Sequence, residues 1–237
     1  KNKRKKSQWA DVWRRLKANK MAMLGLFILI VLVVTAIFAS KIAPYGYDDQ
    51  DLANALLPPN SKYIFGTDNF GRDIFSRIVY GTRISLLIGF IAVGISVIIG
   101  GSLGAISGYY SGKLDNFIMR IMDILLAVPS ILLAISIVAS LGPSLRNVMI
   151  AVGIGSIPSY ARIVRASVLS YRDQEFVEAA RAIGANDFRI IIKHIIPNTL
   201  APIIVQSTLG FAGSILSAAG LAFIGLGIKP PSPEWGS

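Results

Sequence analysis

Five stretches of this chain, residues 21–40, 84–107, 124–141, 148–157 extended to about 160, and 200–228, run apolar and uncharged for close to the length that a bilayer demands. A helix needs about 20 such residues to cross the hydrocarbon layer. Lipid offers the backbone no hydrogen-bond partners, so each run is expected to be helical and the fold all-α, a polytopic transmembrane bundle. The fourth run is the weakest, because Gly153, Gly155 and Pro158 interrupt it and it reaches full length only by including Arg162 or Arg165. Composition agrees with a lipid-embedded chain: 53% of the 237 residues are hydrophobic and 16% charged, against about a quarter charged in an ordinary soluble domain. The first run exceeds the apolar core of a signal peptide and no Ala-x-Ala site follows it at "SKIAPYG", so it reads as a retained helix.

The net charge of +11 raises nucleic acid as a partner, but its distribution argues for a membrane. Lys1, Lys3, Arg4, Lys5, Lys6, Arg14, Arg15, Lys17 and Lys20 precede the first span with only Asp11 against them. That cluster predicts a cytoplasmic N-terminus. Threading five spans from there puts 41–83 outside, 108–120 inside, 141–147 outside and 229–237 outside. The organisation expected is a basic segment over 1–20, a first helix over 21–43, an outer loop over 44–83 and a core over 84–237. Arg162, Arg165, Arg172, Arg181, Arg189 and Lys193 then fall on the inner side.

Between the last two runs lies a charged island, "EFVEAARAIGANDFRIIIKHIIPN" at 175–198. Phe176, Val177, Ala180 and Ile183 recur at helical spacing, Asp173 is placed to cap the start, and Gly184 to end the helix in a left-handed turn. A second helix is expected from Asn186, with Phe188, Ile191, Ile192 and Ile195 as its apolar stripe and Pro197 as its stop. The same periodicity fits a hairpin lying on its own bundle or at the lipid interface. The isoleucine face and the flanking lipid-length runs argue against a DNA-binding helix-turn-helix, which part of the pattern also fits.

The motif Glu178-Ala179-Ala180, then Gly184, then Ile196-Pro197, resembles the EAA loop of membrane permease subunits of bacterial and archaeal binding-protein-dependent ABC importers. "HIIPN" at 194–198, "FGTDNFGRDIFSRIVYGTRISL" at 65–86 and "RIMDILLAVPSILLAI" at 120–135 resemble the dipeptide, oligopeptide and nickel branch, and "GLAFIGLGIKPPSPEWGS" at 220–237 its C-type subunit. The resemblance implies a type I importer permease with five spans visible and a sixth beyond residue 237, in the cytoplasmic membrane. It implies that a region of about 170–198 couples to ATP-binding subunits, with Glu178 and Arg181 making polar contacts, Ala179 and Ala180 permitting close approach, Gly184 setting the hinge, Phe188 anchoring the second helix and Pro197 closing the motif. The implied partners are two ATP-binding subunits, a second homologous permease subunit, an extracytoplasmic peptide-binding protein and membrane lipid. The implied cargo is a short peptide, with nickel or glutathione the alternatives.

No chemistry is expected in the chain itself. Cysteine is absent and His194 is the only histidine, so no metal site is expected. "SGYYSGKL" at 107–114 has Ser107 where a phosphate loop needs glycine and Leu114 where it needs Ser or Thr. ATP and its magnesium therefore belong to partner subunits. A serine-protease pattern, Gly100-x-Ser102-x-Gly104, lies inside an apolar run, and its one candidate base, His194, belongs to the island. In the outer loop Gly66, Thr67, Asp68, Gly71, Arg72 and Asp73 are turn-and-cap chemistry before an interfacial helix ending at Gly81, or a surface receiving the external binding protein. Asp123, an acid at the inner end of a span, requires a partner, and Arg120 one turn earlier is the expected one. An ion-coupled transporter would need more such acids.

Overall fold

The computed structural model describes residues 13–236 except Arg15. Lys1, Lys3, Arg4, Lys5, Lys6, Asp11 and Arg15 of the basic cluster lie outside the described residues. Among those described there is no strand, only an isolated bridge between Thr67 and Asp73. Four unbroken helices are long and apolar enough to cross a membrane: α1 (Lys20–Ile37), α2 (Ile74–Tyr110), and two more introduced below as α5 and α7. A fifth span exists if the bent pair α3 (Gly112–Ala127) and α4 (Ser130–Leu141) is counted as one.

The chain folds as two units, Lys1–Arg83 and Ile84–Ser237. In the first, α1 buries none of its residues, as suits a helix solvated by lipid. Asn19 caps its start through Met21 N and Ala22 N, and the Arg83 guanidinium donates to the Ala36 and Ile37 carbonyls at its end, where a cation complements the helix dipole. The segment before α2 is held by side-chain turns described below.

The second unit is organised around α5 (Leu145–Tyr171), which packs against α2, α3, α4 and α7 (Asp187–Phe223). Here the expected interruption is overturned, although the span remains the least apolar of the four: the helix runs unbroken through Gly153, Gly155 and Pro158 and is the most buried of them. Gly153 is a contact point, since a Cβ there would stand 3.0 Å from Ile95 Cβ and 3.1 Å from the Ala92 carbonyl oxygen. A tighter seam runs along α2, where Gly100, Gly104 and Gly108 face the α5 backbone. Added Cβ atoms would fall 2.5, 2.3 and 2.8 Å from the carbonyl oxygens of Ile157, Ala161 and Arg165. Just above the seam α2 widens into a π-turn at Ser96–Gly100, and the Ser96 hydroxyl donates to the Gly153 carbonyl at 2.8 Å.

Three further boundaries depart from expectation. The third span is bent by 85° between Ala127 and Ser130, because Pro129 lacks a donor and forces Val128 out of the helical region (φ −96°, ψ 126°). Its first half begins at Gly112, so most of 108–120, expected as a loop, is helix, with the reversal confined to Ser111 and Gly112 at positive φ. The helix expected to end at Gly81 continues into the second span.

Replacing Gly104 by alanine is expected to pry the α2–α5 seam apart and cost about 1–3 kcal/mol, the usual range for overpacking. Gly94→Ala, whose new Cβ meets nothing within 4 Å, is the control. Unfolding midpoints in detergent should fall for the first and not for the second.

Candidate coupling site

The island forms at the end of the bundle where α2, α3 and α5 meet. Helix α6 (Glu175–Ala182) carries Glu175 and Glu178 in its first turn and Arg181 in its last, each sign at the end its dipole prefers. Its N-cap is Gln174, without a side-chain cap bond, rather than the expected Asp173. Gly184 then takes φ +84° with open space where a Cβ would stand, the conformation glycine adopts without strain. Asn186 Oδ1 accepts from Arg189 N at 2.8 Å and starts α7.

From there the structure corrects the expected second hairpin helix. Pro197 does not stop it: a π-turn over Ile190–Ile195 leads directly into Ile196–Phe223, with Pro197 in the first turn of that segment, where its missing N–H costs least. The island is therefore one short helix hinged to the base of a long one.

Burial sorts its residues. Val177, Ala180, Ile190 and Ile195 join Ala105 and Tyr109 of α2 and Val164 and Val168 of α5 in one apolar cluster. Ala180 is thus packed inward and offers no outer surface, whereas Ala179, Glu178 and Arg181 are exposed. Phe188, expected in the packed stripe, is 75% exposed, Ile183 is 87% exposed, and Phe176 and Ile192 are also uncovered. These apolar side chains bracket Gly184.

Tyr109, which sequence reasoning passed over as part of a turn, fastens the two arms. Its hydroxyl donates to Asp187 Oδ1 at 2.7 Å and accepts from Arg181 at 3.4 Å, while its ring is buried. Beneath it, Asp115 of α3 is 7% exposed and accepts both Nε and a terminal nitrogen of Arg165 at 2.6 Å, together with the Ser107 hydroxyl. A carboxylate this buried is tolerated when both oxygens are satisfied in this bidentate way by a guanidinium that still reaches the surface. Arg172 reaches Ser111 Oγ and, at 3.4 Å, the Gly108 carbonyl. The island so rests on a cross-braced platform of α2, α3 and α5. An acid near the end of an apolar helix was the available signal for Asp115, as it was for Asp123.

For Asp123 the expected partner is wrong. Its carboxylate bonds Arg162 of α5 at 2.6 Å, and Arg120 makes no ion pair among the described residues.

In the first unit, Asp68 Oδ1 accepts Phe70 N and Arg72 N, and Asp68 Oδ2 accepts Arg72 Nε at 2.7 Å. Thr67 Oγ1 accepts Leu57 N and donates to the Asn54 carbonyl. Asp73 Oδ2 accepts the Ser76 amide and hydroxyl at the head of α2. Gly71, at φ +70°, passes the Asp51 backbone too closely for any side chain. Burial pushes the Asp68 carboxyl up, but the amides of Arg72 and Phe70 and the Arg72 guanidinium outweigh it and hold the group below its ordinary range.

This arrangement has known counterparts. Residues 100–237 match the family described as binding-protein-dependent transport system inner membrane component, and residues 7–59 the N-terminal transmembrane domain of oligopeptide transport permease C. The chain belongs to the binding-protein-dependent transport permeases. It is 52% identical to the dipeptide transport system permease protein DppC of Alkalihalophilus pseudofirmus, over 97% of this chain and 76% of that one. The DppC protein of Haemophilus influenzae is 44% identical over 98% of this chain and 81% of its own, and the glutathione transport system permease protein GsiD of Escherichia coli 48% over 98% and 77%. An inward-facing structure of the MetNI methionine ABC transporter superposes with a TM-score of 0.59 at 22% identity, covering 65% of this chain and 77% of that one, which shows a shared fold. This permease is a multi-pass inner membrane subunit of a transporter rather than an enzyme.

Two outcomes follow from the bonds described. Tyr109→Phe keeps the ring and loses both hydroxyl bonds, so amide exchange over 175–189 should accelerate while the span cores stay protected. Because the Asp68 pKa is lowered on folding, its contribution is complete above the ordinary carboxylate value of about 4 and is lost as pH falls through the folded value. Pepsin should therefore cut the 44–73 segment increasingly as pH drops below about 4, and Asp68→Asn should flatten that dependence.

Proposed function

We propose that this permease is one membrane subunit of an ATP-driven importer of short peptides, inserted with its N-terminus in the cytoplasm. A second homologous permease subunit completes the passage, two ATP-binding subunits supply the energy with their own ATP and magnesium, and an extracytoplasmic peptide-binding protein delivers the cargo on the outer side, though not onto Gly66, Thr67, Gly71, Arg72 and Asp73, which are buried in their own turns with Asp68 half-buried beside them. The observation that carries this reading is the near full-length identity to dipeptide permeases. Glutathione, itself a short peptide, is the second cargo, favoured by the 48% identity to its permease.

Coupling runs through the island. Glu178, Ala179 and Arg181 are polar or small and uncovered, and Ile183 and Phe188 are bare apolar knobs at a hinge of fixed angle. Exposed apolar groups clustered in this way suit the groove of a partner protein. Behind them, Ala180 lies in the apolar cluster that residues of α2 and α5 share, and Pro197 lies in the first turn of Ile196–Phe223, so a push on the knobs reaches the bundle through that cluster and the base of α7.

Gly184→Pro cannot adopt a φ of +84°, and Glu178→Arg reverses an exposed charge. Each is expected to leave the spans inserted and to cut ATP-driven dipeptide uptake in the reconstituted transporter by about tenfold or more, the effect of ~1.4 kcal/mol of lost coupling. Wild-type uptake by either variant would refute the coupling role. Competition by glutathione against dipeptide separates the two cargoes.

A further inference from the structure

The exposed surface of α3 carries two different stripes. Leu114, Phe117, Ile121 and Ile124 form one that suits lipid. The other, about a quarter turn away, is Lys113, Asn116, Arg120 and Asp123, all exposed at helical spacing. Asp115, Ile118 and Met122 face the core. A polar stripe as long as this, in a helix joined to apolar α4 across an 85° bend, must meet water or polar groups.

Asp123 joins that stripe to α5. Its partner Arg162 lies about 14 Å along α5 from the Tyr171 end, in a helix about 40 Å long. Both side chains are half exposed, 51% for Asp123 and 53% for Arg162. An ion pair open to hydrocarbon on that scale would lose most of its solvation without compensation. The rest of the same face of α5 is Gly155, Ser159, Ala166 and Ser170, none fully buried. Leu169, only partly buried, is the one large apolar side chain on it.

We propose that this α3–α5 face is the wall of the translocation path contributed by this subunit, and that Asp123 and Arg162 are its charged contacts for the free ammonium and free carboxylate of a passing short peptide. Charge complementarity identifies the occupant: a short peptide with free termini carries one group of each sign, and the pair offers the two complements. At 2.6 Å the carboxylate and guanidinium satisfy each other when the path is empty, and each exchanges its partner for a terminus of the cargo as it passes. The inference rests on the peptide-permease reading and adds to it where the cargo goes.

The chain has no cysteine, so introduced thiols report without background from it. In the complete transporter, reconstituted with its binding protein, Asn116→Cys and Ser159→Cys are to be treated with a charged, membrane-impermeant thiol reagent, with Phe117→Cys on the apolar stripe as the comparison. Asn116→Cys and Ser159→Cys should react and Phe117→Cys should not. Turnover with a dipeptide bearing free termini should slow the reaction at least threefold, and an N-acetylated, C-amidated dipeptide should not. Asp123→Asn and Arg162→Gln should each lower uptake at saturating peptide about tenfold, or ~1.4 kcal/mol. Silence at both wall positions, or equal labelling of Phe117→Cys, would mean that the face is packed against another chain or lipid and would overturn the wall. Labelling that free-ended peptide does not slow, or charge variants that transport normally, would overturn the contact. If the unsubstituted transporter takes up no peptide, the functional reading fails instead, and the labelling pattern still decides whether the face is wet.

Discussion

Everything in the second unit is referred to one close contact, the backbone-to-backbone seam between α2 and α5. With Gly100, Gly104 and Gly108 on one side, the helices approach until glycine hydrogens face carbonyl oxygens. Apolar side chains gain little from leaving lipid for one another, so association within a membrane relies on dispersion at short range and on polar bonds shielded from lipid. The seam supplies the first. Ser96 on Gly153 at one end and Asp115 with Arg165 and Ser107 at the other supply the second. Only with the two helices locked does the end of α2 hold Tyr109 where it can grip both arms of the island.

The division of labour among charged residues follows from where each sits relative to that seam. Asp115 is buried, doubly bonded by one arginine, and braces three helices. Asp123, two turns further along the same helix, is open and singly bonded by another arginine. Two acids of one helix thus serve opposite ends, one fixing the scaffold and the other left reachable. The outer segment uses its acids differently again, Asp68 and Asp73 each turning one oxygen to backbone amides of adjacent turns.

Spans, the hinge at Gly184 and the Asn186 cap could be read directly, because hydropathy, positive φ and capping are local properties of sequence. The glycines of α5 were misread as breaks, since sequence does not reveal that Ile95 and Ala92 come close enough to need them. Pro197 was misread as a stop, because a proline in a first turn and one ending a helix look alike until the preceding π-turn is seen. Ala180 was assigned to an outer surface that α2 in fact covers. Arg162 was missed as the partner of Asp123 because the pairing joins residues 39 apart on two helices, while Arg120 offered itself on the same one. Apart from Pro197, each miss concerns which surfaces meet across the bundle, the information that a linear pattern carries least.

The absence of any loop between the island and the rest of α7 has a mechanical meaning. From Asp187 to Phe223 the chain is one helix of 37 residues, a rod of roughly 55 Å at 1.5 Å per residue. Its base lies beside the Gly184 elbow, and its shaft packs on α5 and α4. Tilting a rigid rod of that length by about ten degrees sweeps its far tip through roughly 10 Å relative to the base. A chain built this way needs no relay of small local rearrangements to make a displacement at one membrane surface felt at the other.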